Sequence, residues 1–142
     1  MTDKPGRVLA IDIGDKRIGL AISDPTRTIA QPLATLTRRA GRRFPMNQLR
    51  EHLTKYEPAV IVVGMPFTED GEMGDRGLEA RAIGDLVAEK TGLPVSYVDE
   101  RMSTSRALAA VRDLGGKIRG RKQDVDPLAA TVILQRFLEQ SA

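Results

Sequence analysis

The chain has 142 residues, 29% of them charged and 41% hydrophobic, with a formal net charge of +3 and no cysteine. That length suits one domain spanning residues 1–142 around one core, and the missing cysteines exclude disulfide frameworks, thiolate zinc sites and cysteine nucleophiles together. A charge of +3 is too small for a polycation that coats nucleic acid unaided, so phosphate recognition would have to come from local clusters.

The opening residues enter an apolar run that Asp12 interrupts, which leaves no signal-peptide core. The longest apolar run, Ala59 to Phe67, contains Gly64 and Pro66 and falls short of a membrane span. A soluble, cytoplasmic protein with no membrane partner is therefore expected. Arg7 to Gly14 and Arg17 to Ser23 are short runs rich in β-branched residues, separated by Gly14-Asp15-Lys16, and they predict a hairpin. Thr28 to Thr37 predicts a third strand, with Pro32 placing it at an edge or a bulge because proline donates nothing to a ladder. Met46, Leu49, Leu53 and Tyr56 recur at helical spacing. Ala59 to Met65 is continuously apolar, as in a parallel strand covered on both faces.

Phe67 to Asp75 reads as a loop. Arg76 to Lys90 reads as a helix with Ile83, Leu86 and Val87 on one face and Gly92 and Pro94 closing it. Leu93 to about Asp99 is a fifth strand, and Ser103 to Leu114 a further helix stopped by Gly115-Gly116. The last helix is expected to open at Asp126-Pro127, aspartate at N-cap and proline at N1, and carries Leu128, Val132, Ile133, Leu134, Phe137 and Leu138. Three strands followed by alternating helix and strand describe an α/β protein, a mixed sheet with helices packed on it. Ligands of such sheets sit beyond the carboxyl ends of the strands.

Asp12 lies within Val8-Leu9-Ala10-Ile11-Asp12-Ile13-Gly14, where a bare carboxylate needs a cation, donors or a proton. Lys16 or Arg17 could supply an ion pair, and a metal ion would serve equally well. Asp99-Glu100 ends the fifth strand, and alternation sends the two acids to opposite faces, so one of them is a candidate ligand. Asp126 by itself reads as a cap, and Asp124 as a weaker candidate. A strand, a strand end and a helix start can nevertheless bring three acids to one edge. Two basic stretches stand out: Arg38, Arg39, Arg42 and Arg43, and Lys117, Arg119, Arg121 and Lys122. Each alone reads as solvated surface; two in one small domain point to phosphate contact. Gly14 either lets the backbone approach a phosphate, with Lys16 or Arg17 neutralising it, or simply makes the turn. Ser103 and Thr104 read as helix caps, and Asp70-Gly71 with Gly74 as a groove lining or a plain connection. His52, the one histidine, reads as surface. The few aromatic residues exclude an extended base-stacking platform, leaving backbone charge and shape as the means of recognition.

Ala10-Ile11-Asp12-Ile13-Gly14, Lys16-Arg17-Ile18-Gly19 and Ala21-Ile22-Ser23-Asp24 resemble the opening of the YqgF family, whose members are known as Holliday-junction resolvases or pre-16S rRNA nucleases. The resemblance continues through Val62-Val63-Gly64-Met65-Pro66, Asp70-Gly71, Asp99-Glu100-Arg101 and Asp126-Pro127-Leu128-Ala129-Ala130, with Ile133-Leu134-Gln135, and so covers nearly the whole chain. It implies an RNase H-like, five-stranded mixed sheet, its first three strands antiparallel. It also implies that Asp12, Glu100 and Asp126 are the catalytic carboxylates and hold Mg²⁺ or Mn²⁺, hard ions that prefer such oxygens. Two ions roughly 4 Å apart would then activate a water and stabilise the leaving oxygen, with Asp12 shared between them.

Lys16, Arg17, Arg101, Lys117, Arg119, Arg121 and Lys122 are the expected nucleic-acid contacts. Asp15 stands where similar proteins often carry threonine. The implied activity is processing of the 5′ end of pre-16S rRNA in ribosome biogenesis; the alternatives are a Holliday-junction resolvase, expected as a homodimer on a two-fold symmetric substrate, or a non-catalytic nucleic-acid-binding assembly factor. An actin-like or sugar-kinase ATPase shares the opening Asp-x-Gly hairpin, but those enzymes close two domains around the nucleotide.

Overall fold

Apolar residues of alternating parity build the centre of the molecule. In the computed structural model, residues 6–14, 16–38, 43–66, 71–99 and 122–141 are described, with residues 122–126 and 141 followed along the backbone alone. β1 (Val8–Ile13), β2 (Arg17–Ser23), β3 (Ala30–Thr37), β4 (Val60–Met65) and β5 (Val95–Asp99) form one sheet in the order β3-β2-β1-β4-β5. β2 is antiparallel to both β1 and β3, whereas β4 runs parallel to β1 and β5. This is the expected mixed sheet.

Both anticipated roles of Pro32 are realised: β3 is an edge strand, and its register against β2 shifts between Leu20 and Ala21, where Ala21 pairs with Pro32. β3 begins at Ala30 rather than Thr28 because the N–H groups of Thr28 and Ile29 both donate to the Asp24 carboxylate, each at 2.8 Å, and so are withdrawn from the ladder.

α1 (Met46–Tyr56) and α2 (Gly74–Thr91) cover one face of the sheet; α3 (Lys122–Ser141) covers the other. Leu9, Ile11, Ile18, Leu20, Ile61 and Val63 pack with Leu49 of α1 and with Ala80, Ile83 and Val87 of α2. Val8, Ala10, Ala21, Val62 and Val98 pack with Ala130, Ile133, Leu134 and Leu138 of α3. β1 and β4 thus bury both faces, and this explains their unbroken apolar runs. The buried stripe of α2 is Ala80, Ile83, Gly84 and Val87, so Leu86, expected on that face, is instead exposed. As expected, Gly92 ends α2 with φ +75°, its N–H donating to the Ala88 carbonyl at 2.9 Å.

The opening of the last helix differs from expectation. α3 starts at Lys122, and Pro127 lies inside it, so Asp126 belongs to the helix and is not its N-cap. Proline there removes one backbone donor; the buried positions that anchor the helix on the sheet, Leu128, Ala130, Ile133, Leu134 and Leu138, all follow it. The helix expected over Ser103–Leu114 lies outside the described residues. Among the described residues no helix is long and apolar enough to cross a membrane.

Candidate functional site

Parity along β1 sorts its side chains. Leu9 and Ile11 enter the cluster beneath α1 and α2, Val8 and Ala10 the cluster beneath α3, so Asp12 belongs to the α3 face, near the carboxyl end of the strand. It is partly buried. Its Cα partner on β2 is Gly19. On the other side the β1–β4 ladder runs to Ile11 and Val63, which brings Gly64 next in register. Two positions beside the carboxylate therefore carry no side chain, so that the partly buried Asp12 is flanked on both neighbouring strands by backbone alone, at two buried glycines. These glycines were missed in the sequence; hairpin register around the Gly14-Asp15-Lys16 turn already pairs residue 12 with residue 19.

Asp99 is the Cα partner of Met65 and has the parity of Tyr97, which packs beneath α1 and α2. It lies on the face opposite Asp12, as alternation demands. Asp126 stands on α3 one helical turn before Ala130, a member of the cluster that holds Val8 and Ala10. Glu100, Arg101, Ser103, Thr104, Asp15, Asp70, Lys117, Arg119 and Arg121 lie outside the described residues, and Lys122 and Asp124 are located only as backbone positions of α3. Among the described residues no group of three histidine or carboxylate side chains gathers around one point.

The turn after Asp12 is tight. Gly14 donates its N–H to the Arg17 carbonyl at 2.9 Å, and a Cβ on Gly14 would stand 2.7 Å from that same oxygen. Turn geometry alone thus accounts for this glycine. Lys16 and Arg17 flank the turn with exposed side chains.

Arg38 corrects one expectation. It is no member of a solvated basic patch: its side chain is 3% exposed, and it forms a two-pronged ion pair with Glu79 of α2, Nη1 to Oε1 at 3.2 Å and Nη2 to Oε2 at 3.0 Å. Its Nη1 also donates to the Gly14 carbonyl at 2.9 Å, and its backbone N–H to the Lys16 carbonyl at 2.9 Å. Of the same stretch Arg43 is exposed, while Arg39 and Arg42 lie outside the described residues. His52 is half-buried on α1.

Two further groups have shifted acidities. For Asp24, burial works to raise the pKa, but donors from Ile29, Thr26 and Thr28 prevail and hold it at about 2. For Tyr97, burial first and then the hydrogen bond and charge of Asp85 push the phenol up to about 12, against the opposing Arg81 cation. Neither group lies on the Asp12 face. An open hollow of about 510 Å³, lined by Arg50, Leu53, Thr54, Glu57, Pro58, Thr91 and Leu93, sits by the amino-terminal approach to β5, the end of a parallel strand where sites are seldom built.

A family model described as "RuvX: Holliday junction resolvase" matches residues 6–140. A relative from Roseiflexus, named "Putative pre-16S rRNA nuclease", is 37% identical, the match covering 98% of each chain. One of the same name from Heliobacterium modesticaldum is 41% identical over 96% of this chain and 91% of that one. Among solved structures, Thermus thermophilus RuvC in complex with a Holliday-junction substrate superposes with a TM-score of 0.63 at 19% identity, covering 96% of this chain and 95% of that one. The yeast mitochondrial Holliday junction resolvase Ydc2 does so with a TM-score of 0.55 at 14% identity, covering 97% and 85%. At these identities the two structures speak for the RNase H-like fold alone.

Proposed function

The chain belongs to the RuvX (YqgF) family, and from that premise we propose that it is a metal-dependent nuclease that hydrolyses phosphodiester bonds and processes the 5′ end of pre-16S rRNA in the cytoplasm. The observation that carries this reading is Asp12: a half-buried carboxylate at the carboxyl end of β1, on the α3 face, with Gly19 and Gly64 beside it. Glu100 and Asp126 complete the proposed site. Asp99 is set apart from it by its position on the opposite face, whereas Glu100 has the opposite parity in sequence. Asp126 comes from the helix that covers the Asp12 face.

An all-carboxylate donor set fits Mg²⁺ or Mn²⁺, which take hard oxygen ligands and retain water. Such an ion, when bound, polarises the phosphate and lowers the pKa of an attacking water. The chain's own residues hold the carboxylates, and Lys16 and Arg17, exposed beside the turn, neutralise flanking phosphates. Arg101, Lys117, Arg119, Arg121 and Lys122 are the further phosphate contacts of this reading. The substrate class follows the relatives' name, a structured precursor rRNA. A four-way DNA junction cut by a homodimer is the second reading, favoured by the description of the family model.

The test is cleavage of end-labelled structured RNA and of a four-way DNA junction, with Mg²⁺, Mn²⁺ or chelator. Wild-type protein is expected to cut only with metal, and Asp12→Asn to lose cutting while keeping its circular dichroism spectrum and Tm. An Asp12→Asn protein as active as wild type would refute the assignment of the site.

A further inference from the structure

Among the described residues of the turn that follows Asp12, little side-chain packing holds the backbone. Gly14 carries no side chain, and Lys16 and Arg17 point into solvent. Arg38 supplies what is missing. From the residue after β3 it grips the turn twice, through its backbone N–H to Lys16 and its guanidinium to Gly14, and it fixes the guanidinium with both oxygens of Glu79 on α2. A pair with one member at 3% exposure and the other at 32% is a poor way to add stability, since desolvation offsets much of the attraction, and apolar replacements of such pairs are often tolerated. Its geometry does something else. Three elements, the β1–β2 turn, the end of β3 and α2, are tied to one planar group with directional bonds.

We propose that Arg38, held by Glu79, is a positioning residue that sets the end of β1 and hence the Asp12 carboxylate at the proposed metal site. This rests on the nuclease reading for its consequence, though not for the clamp itself. Carboxylates that share an ion must be placed closely, and residues that orient metal ligands typically change affinity or activity by about 10- to 100-fold when removed. Arg38→Met keeps the length and apolar stem while removing the fork. Arg38→Lys keeps a charge that cannot engage both Glu79 oxygens and Gly14 together.

The experiment compares wild type, Arg38→Met, Arg38→Lys, Glu79→Gln and the Arg38→Met/Glu79→Gln double variant. Three readouts are taken: Tm, Mn²⁺ binding by electron paramagnetic resonance without substrate, and amide hydrogen exchange. The double variant, which strands no charge, is expected to keep Tm within about 4 °C, and Arg38→Met, which leaves Glu79 unpaired, to lose more Tm while still unfolding cooperatively; both should weaken Mn²⁺ binding about 10-fold or more. Exchange should accelerate at the Gly14 and residue 38 amides, with Leu9 and Ala10 unchanged. Arg38→Lys should recover only part of the affinity, and the double variant should lose no more than Arg38→Met alone. On a cleaved substrate the loss should fall on kcat rather than KM.

Unchanged Mn²⁺ affinity in Arg38→Met, or losses that merely track a collapse in Tm across the whole protein, would overturn the proposal. If the wild type itself binds no Mn²⁺, the nuclease reading fails instead, and the clamp is then judged on exchange: faster turn amides uphold it and unchanged ones overturn it.

Discussion

At the scale of single residues, the most informative positions are those where one atom decides the outcome. Gly14 is one. Its missing Cβ would meet a backbone oxygen rather than the tip of a flexible side chain, so the turn must open to accept any other residue. Gly14→Ala is therefore expected to lower unfolding stability by about 1–3 kcal/mol, measured by urea denaturation, and to reduce cleavage by displacing Asp12. Stability as high as wild type would show that the turn relaxes freely. Arg38 teaches the complementary lesson. In the sequence it is one arginine of four in a basic run; in the fold it is an internal ion pair, because Glu79 arrives from a helix 41 positions away. No local pattern distinguishes it from exposed Arg43.

At the scale of elements, the connection between β2 and β3 is organised by Asp24. Its carboxylate accepts from the N–H groups of Thr26, Thr28 and Ile29 and from the Thr26 hydroxyl, and those donors hold its pKa at about 2. A folded-state value below the ordinary 3.8 means stability that is present above the unfolded pKa and is lost as pH falls through about 2. The site is largely open to water, so the contribution is small. Asp24→Ala should cost about 1 kcal/mol at neutral pH, with the difference from wild type shrinking between pH 4 and pH 2 in denaturant titrations. A difference that persists undiminished at pH 2 would mean that shape rather than charge holds the turn. The helix ends show where element boundaries become hard to read: Gly92 closes α2 where expected, yet Asp126-Pro127, a good start signal, falls inside α3. A good local start signal thus does not bound the helix, whose backbone reaches back to Lys122.

At the scale of the whole molecule, a net charge of +3 leaves nucleic-acid recognition to local groups of cations. If Lys16 and Arg17 each meet a phosphate, removing both by alanine should reduce the slope of log K against log salt by about 1.4–1.8, read from binding isotherms in chelator. An unchanged slope would remove the turn from the contact surface. The five strands, the opening hairpin, the parallel βαβ unit and the edge or bulge of β3 were legible from apolar runs, alternation and one proline, because a sheet's periodicity is written locally; the direction of β3 came from the family resemblance. Asp12 was legible too, as a charge where the pattern allows none. The sequence alone therefore determined the fold class and the carboxylate on which the proposed chemistry depends. Only the tertiary structure decided which face Asp12 and Asp99 occupy, that Gly64 joins Gly19 in flanking the former, that Leu86 is exposed, and that Arg38 is buried against Glu79. Those facts depend on which residues meet across the sheet and between helices, and contacts between distant positions have no signature in the local order of residues.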